Sequence, residues 1–152
     1  MGSGSVEMGD NCFVQSKLFK PVSFLTIFRD SRIEIGSNVG FSGTTVQCFR
    51  RVSIGDWSNI ADAYIVDSAA HHLSADRRFL PVQDVPTAPV ALERNVWIST
   101  RVVICQGVTI GENSVIGACS LVRSSVPPDC FYAGNPIRFI KRVPHKNEPT
   151  ES

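Results

Sequence analysis

The stretch Leu92-ERNVW-Ile98-STRVV-Ile104-CQGVT-Ile110-GENSV-Ile116-GACSL-Val122 returns an aliphatic residue at every sixth position without a break. A helix asks for a period near 3.6 and a half-buried strand for a period of 2, so six suits neither. It suits a chain in which each block of six is one short face of a coil that turns a corner after every block. The comb residues then point inward and stack on their equivalents in the next turn. Gly107, Gly111 and Gly117 stand where crowding near the corners would be worst. The pattern predicts an all-β chain wound as a parallel β-helix.

The comb extends upstream less cleanly. Ile35, Phe41 and Gln47 are six apart, and after a phase shift Ile54, Ile60 and Val66 resume the spacing. An Ile-Gly pair followed by a small polar or acidic residue recurs at Ile35, Ile54 and Ile110. Between Val66 and Leu92 the pattern lapses into a stretch holding Pro81, Pro86, Pro89, His71, His72 and the run Asp76-Arg77-Arg78. That stretch reads as a loop over 67–90 thrown out from the coil, and a loop of this length in a compact repeat is commonly functional. Residues 1–20 show no repeat and read as a lead-in segment. The β-helix domain is assigned to 21–143, the comb ending at Val126-Pro127-Pro128, where prolines remove backbone donors. Residues 129–143 form a short cap, and the polar stretch 144–152 a disordered tail.

Composition narrows the partners. The 152 residues suffice for one domain with a core, and a formal net charge of +1 gives no reason to expect nucleic acid. No run approaches the roughly 18 apolar residues of a membrane span. Five cysteines without a CxxC pair read as reduced thiols in a cytoplasmic protein, with Cys105 and Cys119 as small side chains within the coil. Outward apolar residues such as Trp97, Val103 and Val115 call for covering by identical coils packed side by side.

From Ile35 to about Val143 the chain resembles the hexapeptide-repeat acetyltransferases, in particular the sugar O-acetyltransferases of the maltose and galactoside type. The resemblance rests on IGSNVGFSGT from Ile35, Val-Trp-Ile from Val96, GVTIGENSVIGA from Gly107 and Ala-Gly-Asn-Pro from Ala133, in that order. It implies a left-handed coil, a homotrimer, and acetyl-CoA as donor in a cleft between neighbouring coils, with one subunit's loop closing it. Handedness comes from the resemblance alone.

The same resemblance assigns roles. His71 falls where similar enzymes place the general base that deprotonates the acceptor hydroxyl, after the run Asp67-Ser68-Ala69-Ala70. Ala69 and Ala70 replace the acidic and aromatic residues common there. Asp67 is assigned to the acceptor or to orienting the loop, a turn-forming role being equally open, and His72 is placed beside the acceptor. Trp97 corresponds to the aromatic beside the pantetheine arm, with subunit packing as its other reading. Thr100 and Ala118 stand at the pantetheine amides. Arg123 and Ser124 replace a Thr-Lys pair, and Arg138 and Lys141 match basic residues facing the CoA phosphates. Ser99 replaces a glycine common beside the cofactor. No metal is expected: three histidines, two of them adjacent, do not make the convergent set of a β-helical zinc hydratase. Two alternatives stay open, an N-acetyltransferase acting on an amino sugar and a non-catalytic scaffold.

Overall fold

The computed structural model describes residues 3–146. Strands come in threes, and each triplet closes one coil. The first coil holds β1 (Ser5–Met8), β2 (Phe13–Gln15) and β3 (Ser23–Thr26), and the second β4 (Arg32–Ile35), β5 (Gly40–Ser42) and β6 (Thr45–Cys48). The third has β7 (Arg51–Ile54), β8 (Asn59–Ala61) and β9 (Tyr64–Val66). After a loop come β10 (Val90–Leu92), β11 (Trp97–Ile98) and β12 (Val103–Ile104), then β13 (Thr109–Ile110), β14 (Val115–Ile116) and β15 (Leu121–Val122). Like strands of successive coils pair in parallel and build three sheets of five, seven and five strands. The seven-stranded sheet continues past the last coil through β16 (Cys130–Ala133), which turns back as antiparallel β17 (Arg138–Arg142). That hairpin is the cap. None of the described residues forms a helix long and apolar enough to cross a membrane.

The comb is the inside of this coil. Ile54, Leu92 and Ile110 stack in the first sheet, Ile60, Ile98 and Ile116 in the second, and Ile65, Ile104 and Val122 in the third. All nine are buried. Each fully buried aliphatic side chain contributes about 1.5–3 kcal/mol. Two upstream comb members lie elsewhere: Val46 and Ile65 point inward, while Gln47 and Val66 are only partly buried. In coils two and three the second corner is one residue shorter, so Phe41 is followed inward by Val46 and Ile60 by Ile65, five residues on.

The lead-in boundary at residue 20 is also corrected. Val6 and Met8 stand in register with Ile33 and Ile35, and Val14 with Phe41, so residues 5–15 already belong to the first coil. Its repeat is masked because residues 16–20 bulge out as a small hairpin bridged between Lys17 and Lys20. Cys48 and Cys130 are the buried thiols, whereas Cys119 is exposed and Cys105 partly so. Burial, and then the nearby Asp67 carboxylate, push the Cys48 thiol up to about 12. Of the tail, 147–152 lie outside the described residues, and His145 is held by its Nε2 at 2.9 Å from Asp129 Oδ1.

The corners explain the turn residues. Asn38, Asn95 and Asn113 occupy the first corner of their coils with φ of 59°, 56° and 61°, a left-handed conformation asparagine tolerates. The amides of the latter two form a ladder, Asn95 Nδ2 donating to Asn113 Oδ1 at 2.8 Å and Asn113 Nδ2 to Asp129 Oδ1 at 2.9 Å. The glycine after each Ile serves close approach. A Cβ on Gly55 would lie 2.6 Å from Glu93 C and 2.8 Å from Arg94 N, backbone atoms of the next coil. Gly55→Ala is therefore expected to lower stability by about 1–3 kcal/mol, read as a shift in the urea midpoint without a change in strand content by circular dichroism.

Candidate active site

Two grooves lie on the outer face of the seven-stranded sheet. The larger, about 460 Å³, is lined by Trp97, Ser99, Val115, Gly117, Ala118, Phe131, Lys141, Val143 and Pro144. Trp97 projects outward from β11, in register with Val115 of β14, and Phe131 of β16 follows. Two aromatics, small residues and a lysine at one end give a channel for a chain-like ligand with an anionic terminus. Gly117 keeps its floor open, since a Cβ there would come within 2.8 Å of Ala133 Cβ and 3.1 Å of the Phe131 ring.

Of the expected cofactor residues, Trp97, Ala118 and Lys141 come together in this groove, and Ser99 lines it as well. Arg138 is exposed on the same terminal hairpin, paired with Ala133. Thr100 follows Ser99 at the second corner, where its Oγ1 donates to Asp62 Oδ2 at 3.1 Å. Lys20 reaches the same carboxylate from the first coil. Lys20, with Thr100 assisting, holds the Asp62 carboxyl below its usual range. Arg123 and Ser124 are exposed at the third corner, after β15, and do not line the groove.

The loop spans 67–89, Val90 opening β10, and its base is closed by a bridge between Ser68 and Thr87. It leaves the third corner, between the two five-stranded sheets and opposite the sheet that bears the grooves. His71 is exposed on it, and His72 Nε2 lies 3.0 Å from Pro81 O. No loop residue lines either groove. Leu73 is 100% and Phe79 72% exposed.

Asp67 is not available to an acceptor. It is fully buried, and its carboxylate accepts the backbone N–H groups of Phe49, Arg50 and Arg51, each at 2.7 Å. Its role is neither acceptor contact nor a turn within its own loop: it caps the corner of the preceding coil. Among the described residues no group of three His, Cys, Asp or Glu side chains converges as a metal site.

Fold and groove together define a three-sided parallel β-helix protein with a six-residue repeat. The family profile "Bacterial transferase hexapeptide (six repeats)" matches residues 89–124. The galactoside O-acetyltransferase of Escherichia coli K12 is 36% identical over 138 residues, covering 90% of this chain but 63% of the relative, so the chain spans under two thirds of that protein. A hexapeptide-repeat acetyltransferase from Vibrio cholerae, solved with acetyl coenzyme A, is 30% identical with a TM-score of 0.65, over 90% of this chain and 70% of that one. The N-acyltransferase AntD from Bacillus cereus, solved with dTDP and 3-hydroxybutyryl-CoA, is 25% identical with a TM-score of 0.74, over 90% and 72%. The chain belongs to the hexapeptide-repeat acetyltransferase family.

Two outcomes follow from the carboxylates. Asp67→Ala leaves three N–H donors without their acceptor and is expected to cost about 3 kcal/mol, measured by urea denaturation at fixed protein concentration. Asp62 has a folded value below its ordinary 3.8, so its contribution is present above that pH and lost as pH falls through the folded value. The urea midpoint of Asp62→Asn should accordingly lie below wild type at pH 7 and converge on it in acid.

Proposed function

We propose that this protein is an acetyltransferase that carries an acetyl group from acetyl-CoA to a sugar hydroxyl, in polysaccharide or glycolipid assembly. The observation that carries the reading is the groove walled by Trp97 and Phe131, floored by Gly117 and Ala118, and ended by Lys141. Pantetheine lies along it, Trp97 beside the arm and Thr100 and the Ala118 backbone at its amides. Lys141 and Arg138 meet the phosphates. Similar proteins solved with acetyl-CoA or CoA support a CoA donor.

His71 takes the proton of the acceptor hydroxyl. The oxygen attacks the thioester carbonyl, the C–S bond breaks as the ester C–O bond forms, and the proton passes to the departing thiolate as CoA-SH. Backbone donors of the coil hold the developing oxyanion. No acyl-enzyme is involved.

Because the loop leaves the corner opposite the grooves, the His71 that serves a groove comes from a neighbour. The assembly is a homotrimer of left-handed coils, with Arg123 and Ser124 of the third corner also facing a neighbour's groove. Exposed Leu73 and Phe79 supply apolar contacts for that packing. Five unpaired cysteines accord with a cytoplasmic setting.

Calorimetric titration of acetyl-CoA should saturate near one site per subunit and weaken in Arg138→Ala/Lys141→Ala. His71→Ala should leave that affinity unchanged and lower kcat by about 10²–10⁴-fold. Refolding His71→Ala together with a groove variant, each inactive alone, should restore activity in the mixed oligomer. No saturable binding by folded, oligomeric protein would leave a scaffold. Saturable binding with unchanged turnover in His71→Ala would remove the general base.

A further inference from the structure

The larger groove has one wall that is not built on the coil. Trp97, Val115 and Phe131 are set by strand register, but Val143 and Pro144 line the groove from beyond the end of β17. β17 is itself exposed along its whole length. Pro144 has no N–H to donate, so this two-residue wall can be held only from its ends.

Both ends are held by one residue, Asp129. Val143 N–H donates to Asp129 O at 2.9 Å, and His145 Nε2 lies 2.9 Å from Asp129 Oδ1. Among the described residues, no other hydrogen bond joins 143–146 to the body of the protein. Asp129 is well anchored for this task. It occupies the first corner of the last, partial turn with φ of 58°, as Asn38, Asn95 and Asn113 do in their coils. Its N–H donates to Glu112 O at 2.9 Å, and its Oδ1 ends the side-chain ladder that runs from Asn95 through Asn113. The Asn113 amide, then His145 and Arg142, hold its carboxyl below the usual range. An ionised carboxylate only accepts, so the imidazole is the donor in this contact. Where those three corners carry asparagine, this one carries a carboxylate with two side-chain donors on one oxygen.

We propose that His145, acting through Asp129, is a positioning residue for the donor: the contact latches Val143 and Pro144 in place as a wall of the groove before acetyl-CoA arrives. This proposal rests on the transferase reading. A wall free to swing has to be ordered at each binding event, and that ordering is subtracted from affinity. An exposed pair such as this one, with side chains 48% and 35% exposed, adds little to global stability. Its effect is local, on the two residues it holds. Both partners and both wall residues belong to one chain, so the latch operates whichever subunit supplies the loop.

Calorimetric titration of acetyl-CoA into the full chain reads the latch without an acceptor. His145→Ala should weaken binding about fivefold while the urea midpoint stays at the wild-type value. His145→Gln keeps an N–H donor at similar reach and should bind within about twofold of wild type. Asp129→Gly suits the left-handed corner and removes the carboxylate, so it should lose at least as much affinity as His145→Ala. Adding His145→Ala to Asp129→Gly should then change nothing further. Wild-type affinity in His145→Ala, or no rescue by His145→Gln, overturns the latch. So does an additive loss in the double variant, which would put the imidazole on the donor itself. Circular dichroism checks that Asp129→Gly folds; if it does not, the two His145 variants decide alone. Absence of saturable binding in wild type would instead remove the transferase reading beneath the proposal.

Discussion

Everything in this molecule depends on one coil sitting in register on the next. The parallel ladders satisfy backbone groups only between coils, because a strand of two or three residues has no hydrogen-bonded structure of its own. Ile54 on Leu92 on Ile110, or Ile65 on Ile104 on Val122, is therefore both the core contact and the alignment that lets the ladder form. A slip of one residue would turn a whole column outward. The same stacking dictates the residues that pack nothing. Glycines at 36, 55 and 111 follow the inward Ile because the backbone or an acidic side chain of the next coil stands where a Cβ would be. Asparagines at the first corner link one coil to the next by side chain as well as by backbone.

Register also makes the surface. Residues distant in sequence become one outward column, as Phe13, Gly40, Asn59, Trp97 and Val115 do on the seven-stranded sheet. The grooves lie where small residues in that column and its neighbour leave room between aromatics. Asp67 shows the converse. Where the loop interrupts the coil, its carboxylate gathers the three N–H groups of the preceding corner, so the chain can depart without leaving buried donors unpaired. A residue that looked like part of the chemistry is part of the frame.

The repeat was readable where five successive corners kept the same length, from Leu92 to Val122. It slipped at Gln47 and Val66 because a corner shortened by one residue moves the inward position, and spacing alone does not reveal which corner shortened. The first coil was unreadable for a related reason: the hairpin over residues 16–20 breaks the count between Val14 and Phe24, both of which pair normally in register. Trp97, Ala118 and Lys141 could be singled out in the sequence because local motifs carry them, and the fold brings the three into one groove. The column that sets Phe13 and Asn59 beside Trp97 was not legible, because only strand register joins them. Arg123 and Ser124 were placed by motif beside a groove that their own chain turns away from them.

That last separation follows from the three-sided cross-section. A loop inserted between the third sheet and the first leaves from the vertex facing the second sheet. Any chemistry on the second sheet's outer face is then as far from its own loop as the coil allows. Lengthening the coil adds columns but does not change which vertex faces which sheet. Side-by-side packing of identical coils does change it, by setting one subunit's vertex against another's face. Under the proposed trimer, the exposed His71 on its apolar-tipped loop and the groove on the opposite face would become two parts of one site divided between neighbours. Catalysis and assembly would then be coupled, since a dissociated chain would keep its donor groove and lose the base.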